Sequence, residues 1–341
     1  MKRFLKKLSV FCIPLLVLIA WYVYVVANKT GDLGNLGMIP FGNYEVGTIP
    51  DFTDYYDAFS IDEAQNAEIV VLGDSFTNKN INSYMNYLGH ALGMKVCHLY
   101  IDEQKINPCA AANQLIDNDL LQNCKILVVE SVERHSIWRL RDCFKDVSLV
   151  FVEKSDDSPQ RFDLSKYLSL NNLSSLVKLS LNIDNPVGKL QLDNNYFTNR
   201  RSDKLYFYAS KNDGGGDLWY LNYDEGAFAN AKNNLLKLRD KAVEKGIDFY
   251  FIMPADKFDM YYEKIIFGST KSIFPQNPTF YYFSDFDTTW YLSGKQILTP
   301  YLEDGVKDIY LVNDTHWSRI GAEIVGQHLA RLIELQHSEE R

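Results

Sequence analysis

Two short segments near opposite ends of the chain carry the residue types of a hydrolytic triad. Val70-Val71-Leu72-Gly73-Asp74-Ser75-Phe76-Thr77 reads as an apolar strand running into a tight turn with a serine at its exit. Val312-Asn313-Asp314-Thr315-His316-Trp317-Ser318 sets a carboxylate two residues before a histidine, just ahead of a patterned helix. A serine hydroxyl is a weak nucleophile until a neighbouring base takes its proton. A histidine is that base when a carboxylate fixes its tautomer and stabilises its protonated form. Ser75, His316 and Asp314 are the candidates for these roles. A serine that leaves a strand and opens a helix is presented at the carboxyl edge of a sheet among unpaired backbone N–H groups. Gly73, Asp74 and Ser75 are therefore the candidate oxyanion turn, with a helix dipole behind it. The bland alternatives are that Ser75 caps one helix and Asp314 another. Each segment alone leaves that alternative open, and only the pair makes a catalytic reading the stronger one.

These residues must be positioned by an α/β framework. Glu68-Ile69-Val70-Val71-Leu72 is a continuous apolar run of the kind buried on both faces of a parallel sheet. A helix is expected over 80–93, with Ile81, Met85, Leu88, Ala91 and Leu92 on one side. A strand over 95–101, a helix over 110–121 and a buried strand over 125–130 follow. Alternation of this kind predicts a doubly wound, mainly parallel sheet flanked by helices. The stretch 141–225 breaks the rhythm, being rich in Asn, Asp, Ser and Leu with Gly214-Gly215-Gly216; it is expected to be an insertion, partly helical over 163–181. Regularity returns with a helix over 227–245, a strand over 247–253 and a helix over 256–265. Residues 270–300 read as loop-rich with room for two short strands, and 307–312 as a strand entering the aspartate–histidine segment. A closing helix from about Ser318 sets Ile320, Ile324, Val325, Leu329, Leu332 and Ile333 on one face. No internal repeat is apparent.

The N-terminus reads as a membrane signal. Lys2, Arg3, Lys6 and Lys7 precede a run from Leu8 to Ala27 that contains no charged residue. About twenty apolar residues match one hydrocarbon thickness, and the basic flank predicts a cytoplasmic N-terminus. No A-x-A cleavage site follows, which favours an uncleaved anchor over a removed signal peptide. The expected organisation is tail and anchor over 1–28, a stem or entry segment over 29–65, and a catalytic domain over 66–341 outside the cytoplasm, in a periplasm or similar space. The net charge of −9 includes four cations and no acid in 1–28, so the remainder carries −13. That surface repels nucleic acid, and no nucleic-acid partner is expected. The 22 Tyr and 20 Phe suit stacking on flat apolar faces such as sugar rings, although an ordinary core accounts for most of them. Cys97, Cys109, Cys124 and Cys143 either form disulfides, with three complete pairings open to them, or are buried thiols. Histidines 90, 98, 135, 328 and 337 form no metal-spaced pair, so neither a metal nor a cofactor is expected. Sequons stand at Asn28, Asn172 and Asn313; a glycan on Asn313 would sit on the proposed catalytic loop, so catalysis there requires that it be unused.

Gly73-Asp74-Ser75-Phe76 together with Asp314-Thr315-His316-Trp317 resembles the SGNH (GDSL-like) hydrolase superfamily. More narrowly, the pair is similar to SGNH-like proteins of the alginate O-acetyltransferase type, marked by a G-D-S-F turn and a D-x-H-W segment. Glu130-Ser131-Val132-Glu133-Arg134 resembles a strand-plus-E-R element of that group. The likeness spans 66–335 in outline, without the insertion. The histidine segment follows the serine, as in the wider superfamily and unlike the alginate type, where it precedes it. The superfamily's G-x-N-D element is absent after the third strand, where Glu130 to Arg134 stands, so a second oxyanion donor is unassigned. The resemblance implies a three-layer SGNH or flavodoxin-like fold and a Ser75–His316–Asp314 triad. It also implies acyl transfer to or from an exported polysaccharide, with a membrane-bound O-acyltransferase as partner supplying acyl groups. An acetylesterase of the same fold and a non-catalytic polysaccharide-binding or assembly module are the alternatives. Arg134 either contacts substrate or pairs with a nearby acid, and Trp317 either stacks on a sugar or closes the core under His316.

Overall fold

The computed structural model describes residues 10, 12–13, 15–20, 55–77, 83–102, 105–152, 190–192, 196–197, 204–205, 215–216, 219–220, 223–267, 276–311 and 314–339. Six strands build one sheet: β1 (Tyr55–Ala58), β2 (Ile69–Leu72), β3 (Val96–Leu99), β4 (Ile126–Glu130), β5 (Asp248–Met253) and β6 (Tyr291–Ser293). Their spatial order is β1-β3-β2-β4-β5-β6, and every neighbouring pair is parallel. Parallel pairing requires crossovers, which are helical here: α1 (Tyr84–Leu92), α2 (Pro108–Asp117), α3 (Glu133–Arg141), α4 (Glu225–Glu244), α5 (Lys257–Tyr261), α6 (Gly294–Glu303) and α7 (Arg319–Glu339).

Strand residues alternate between two cores. Ile69, Val71, Val96, Ile126, Val128, Tyr250 and Ile252 meet Met85 and Leu88 of α1, Leu298 of α6, and Val325 and Leu329 of α7. Val70, Leu72, Cys97, Leu127, Val129, Phe249 and Phe251 meet Leu115 of α2, Leu140 of α3, and Leu235 and Leu238 of α4. Helices therefore cover both faces, which is why the strands read as uninterrupted apolar runs. At roughly 1.5–3 kcal/mol for each fully buried aliphatic or aromatic side chain, these two layers dominate the driving force for folding.

The strand order places the site. From β2 the chain crosses to β3 on one side, and from β4 it crosses to β5 on the other. The carboxyl ends of β2 and β4 thus flank a topological switch point, where the crossovers diverge and leave a crevice. Ser75 follows β2 and Ser131 follows β4.

Several elements differ from the reading of the sequence. Residues 55–58, within the expected stem, form the sheet's edge strand. Of the strand expected over 307–312, the described residues 307–311 form no strand of the sheet: Asp308 takes φ 58, and Tyr310 bridges Trp317 in a local hairpin. Gly294–Glu303, within the expected loop-rich stretch, is a helix that includes Pro300, and Ser293 Oγ accepts Gln296 N–H at 3.4 Å at its start. On α1, Ala91 is exposed and the buried face is carried by Tyr84, Met85, Tyr87 and Leu88. The helix expected over 163–181 lies outside the described residues, as do Asn28, Asn172 and Asn313. Leu190–Leu192, Lys204–Leu205 and Ile265–Phe267 make a small three-stranded sheet, and Gly215–Gly216 pairs with Trp219–Tyr220. Of the expected anchor, residues 10, 12–13 and 15–20 are described, all helical, with Leu15 to Ile19 exposed. Among the described residues no helix is long and apolar enough to cross a membrane.

Candidate active site

Ser75, His316 and Asp314 meet. Ser75 Oγ lies 2.6 Å from His316 Nε2, and His316 Nδ1 hydrogen-bonds Asp314 Oδ1. Asp314 and His316 are buried, whereas Ser75 is half-buried. The loop bends back because Asp314 Oδ1 also accepts the His316 backbone N–H at 3.0 Å, an Asx-type turn that brings carboxylate and imidazole onto one side. The turn is clamped from both ends. Leu311 N–H donates to His316 O at 3.1 Å and Ser318 N–H to Ile309 O at 2.9 Å, closing the hairpin. The fully buried Lys257 donates from Nζ to Asp314 O at 2.9 Å. Ser318 caps α7, its Oγ accepting Ile320 N–H at 3.0 Å, which leaves Asp314 for His316. The Phe76 ring lies 4.7 Å from the imidazole, covering it from water.

The serine turn is built on a buried ion pair. Asp74 accepts Val132 N–H at 2.9 Å and Phe76 N–H at 3.2 Å, and forms a salt bridge with Arg139 Nη1. Burial alone would raise this carboxyl, but the Arg139 guanidinium and these N–H donors outweigh it and hold it well below the usual range. Behind it, the wholly buried Glu130 accepts Asp74 N–H at 2.9 Å. Burial and the Asp74 charge push the Glu130 carboxyl far up, so it stays protonated at neutral pH. Gly73 is required by space: a Cβ there would fall on the Thr77 methyl and 2.6 Å from Glu130 Oε2.

These bonds revise the oxyanion assignment. Asp74 N–H is committed to Glu130 and Phe76 N–H to Asp74, so neither is available to an oxyanion. The Ser75 N–H has no hydrogen-bond partner among the described residues. Asp74 is the turn's anchor and Gly73 its spacer, and the Ser75 N–H is a donor left open. Ser75 opens a three-residue 3-10 turn, Ser75–Thr77, and among the described residues α1 begins at Tyr84 rather than at the serine.

The two substrate candidates sit elsewhere. Arg134 is buried and paired with Asp256. Trp317 is 1% exposed, edge-on to Phe76 at 4.9 Å and Tyr84 at 6.3 Å, and closes the core beneath His316 rather than facing a sugar. Arg139 and Lys257 escaped the reading of the sequence. The available signals were an aspartate beside the serine, which needs a cation once buried, and the Asp256-Lys257 pair three residues past the end of a central strand.

Cys97, Cys109, Cys124 and Cys143 are buried free thiols, and burial pushes the first three up to about 11, 12 and 12 and Cys143 higher still. Such thiols are poor nucleophiles. Among the described residues, Glu133, Asp256 and Asp259 bring one carboxylate oxygen each within 4.8 Å of one another, as a metal site would require. Burial raises all three carboxyls; the neighbouring carboxylates add to this for Glu133, which is pushed up to about 8, and for Asp259, while Arg134 opposes it for Asp256. No family model, no curated protein and no solved structure matches this chain.

Proposed function

We propose that this chain is a serine acyltransferase of SGNH type that works through an acyl-enzyme. The observation that carries the reading is the hydrogen-bonded line Ser75–His316–Asp314 at the switch point of a parallel sheet, joined across 241 residues of sequence. In the proposed cycle His316 Nε2 takes the Ser75 proton as Oγ attacks an acyl carbonyl. Asp314 holds the tautomer and stabilises the imidazolium, while the Ser75 N–H donates to the developing oxyanion. The imidazolium then protonates the departing donor oxygen. In the second half His316 removes a proton from an acceptor hydroxyl, which attacks the acyl-serine and releases Oγ as the leaving group; with water as acceptor the same site is an esterase.

The resemblance of the two motifs supports the finer reading. The fold would be of the SGNH or flavodoxin-like kind, the acyl group acetyl, and the acceptor a sugar hydroxyl on an exported or cell-surface polysaccharide. A single N-terminal anchor would hold the domain outside the cytoplasm, next to a membrane-bound O-acyltransferase that supplies acyl groups. The test is complementation of a deletion strain, scored by O-acetyl content of the surface polysaccharide. The wild-type gene restores acetylation and Ser75→Ala does not, with the variant present at equal level. Restoration by Ser75→Ala refutes the nucleophile. Fast acetate release by the purified protein, indifferent to added sugar acceptor, replaces transfer with hydrolysis.

A further inference from the structure

Two residues beyond Ser75 the site contains a second line of hydroxyl, imidazole and carboxylate. Thr77 Oγ1 lies 3.1 Å from His98 Nε2, and His98 Nδ1 lies 3.0 Å from Asp57 Oδ1. Sheet register produces it. Asp57 on β1 and Val71 on β2 both pair with His98 on β3, so the imidazole spans from the edge strand to the strand that carries the serine. Thr77 and His98 are buried, and Tyr100 covers the imidazole edge-on at 5.0 Å. The Thr77 hydroxyl also donates to Asp74 O at 2.6 Å, and the Thr77 N–H reaches the same oxygen at 3.0 Å. Thr77 is held on its other side by its methyl, which fills the space a side chain at Gly73 would need.

The carbonyl that Thr77 holds belongs to the Asp74–Ser75 peptide, whose other end is the unpartnered Ser75 N–H. A peptide unit is planar and trans, so fixing its C=O direction fixes its N–H in the opposite direction. Two donors on that oxygen also polarise the amide and strengthen the N–H as a donor. We propose that Asp57, His98 and Thr77 form a buttress that aims the Ser75 N–H at the oxyanion, which makes Thr77 and His98 positioning residues of the acyl-transfer reaction. The proposal rests on Ser75 being the nucleophile.

The test is labelling of the full-length chain by a fluorophosphonate, whose adduct places an oxygen in the oxyanion position, with the maximal rate separated from the half-saturating concentration. Thr77→Val keeps the methyl and loses the hydroxyl; Thr77→Ser does the reverse. The expected result is a maximal rate about tenfold to hundredfold lower for Thr77→Val, within the loss caused by removing one oxyanion donor. The half-saturating concentration stays unchanged, and Thr77→Ser recovers to within about threefold of wild type. Asp57→Asn, at a half-buried position, should lower the maximal rate in the same direction, and serves for the comparison if Thr77→Val does not fold. Folded Thr77→Val or Asp57→Asn labelling at the wild-type rate overturns the buttress while leaving Ser75 as nucleophile. Wild-type protein that labels no faster than Ser75→Ala overturns the nucleophile, and the buttress with it.

Discussion

Asp74→Asn separates an anchor from an oxyanion donor, because the side chain changes while the backbone N–H is retained. Asparagine fits the same space and can still accept Phe76 N–H through one oxygen. It cannot also accept from Val132 N–H and Arg139, since its other terminus is itself a donor. The loss comprises one charge-assisted hydrogen bond, about 1.5–3 kcal/mol, and one buried N–H left without an acceptor, about 1–3 kcal/mol. Arg139, 4% exposed, keeps the neutral Ser131 Oγ at 3.2 Å. Breaking a buried pair from one side costs about 3–5 kcal/mol by other routes as well, so the two figures agree. For a domain of this size that is a fall in Tm of about 10 °C. Urea unfolding at pH 7 measures it, and Arg139→Met completes a double-mutant cycle. Once the cation has gone, the Asp74→Asn penalty should shrink by at least about 1 kcal/mol. The sign with pH is also fixed. Arg139 holds the folded carboxyl below its unfolded range, so its stabilisation is complete above about pH 4 and drains as pH falls further. Wild type and variant should therefore converge in acid. A variant within about 1 kcal/mol of wild type at pH 7, or a strictly additive cycle, refutes the anchor.

Asp314→Asn should lower the labelling rate of Ser75 by about 10⁴-fold with little change in Tm, because the shape of the loop survives while the imidazole loses the acceptor that fixes its tautomer. Trp317→Ala should cost about 3–5 kcal/mol in urea unfolding, the penalty for emptying an aromatic site in a core, and Trp317→Phe should leave KM for a sugar acceptor unchanged. A KM rise of more than about tenfold in Trp317→Phe would return that side chain to the substrate. Glu133 binds its proton up to about pH 8 when folded but only to about pH 4.3 when unfolded, so it makes wild-type stability fall as pH rises through that window. Glu133→Gln should flatten the slope, read from unfolding midpoints at pH 5, 6, 7 and 8; an unchanged slope would place the effect in another group.

What could be read from the sequence was whatever depended on neighbours along the chain. Ile69–Leu72 and Ile126–Glu130 were legible as strands because burial on both faces leaves an apolar run, broken only by Glu130 at the end of the second. Asp314 and His316 were legible as a pair because two residues is the reach of an Asx turn. The stretch expected as a strand over 307–312 misled for the same reason: its residues favour extension, yet Asp308 adopts a left-handed φ, its N–H donates to Tyr196 O, and Tyr310 bridges Trp317 in the loop that follows. Gly294 and Pro300 hid the helix Gly294–Glu303, although Ile297, Leu298 and Leu302 lie buried along it. Trp317 carried no mark of which way it faced, since an aromatic beside a catalytic histidine serves core and ligand equally well.

What could not be read depended on register across the sheet. Arg139 reaches Asp74 over 65 residues, and His98 joins Asp57 to Thr77 only because β1 and β2 both flank β3. The distinction matters for the chemistry. Local sequence nominates the three residues that would react, but Ser75 sits half-exposed on a turn that its own neighbours hold only in part. The Asp74 carboxylate, the protonated Glu130 and the Thr77 hydroxyl hold it, and each is fixed by a strand or helix distant in sequence. An oxyanion donor is useful only if it points correctly before charge develops. The Asp74–Ser75 peptide would meet that condition: Glu130 takes the N–H of the peptide before it, Thr77 takes its carbonyl, and its own N–H has no partner among the described residues.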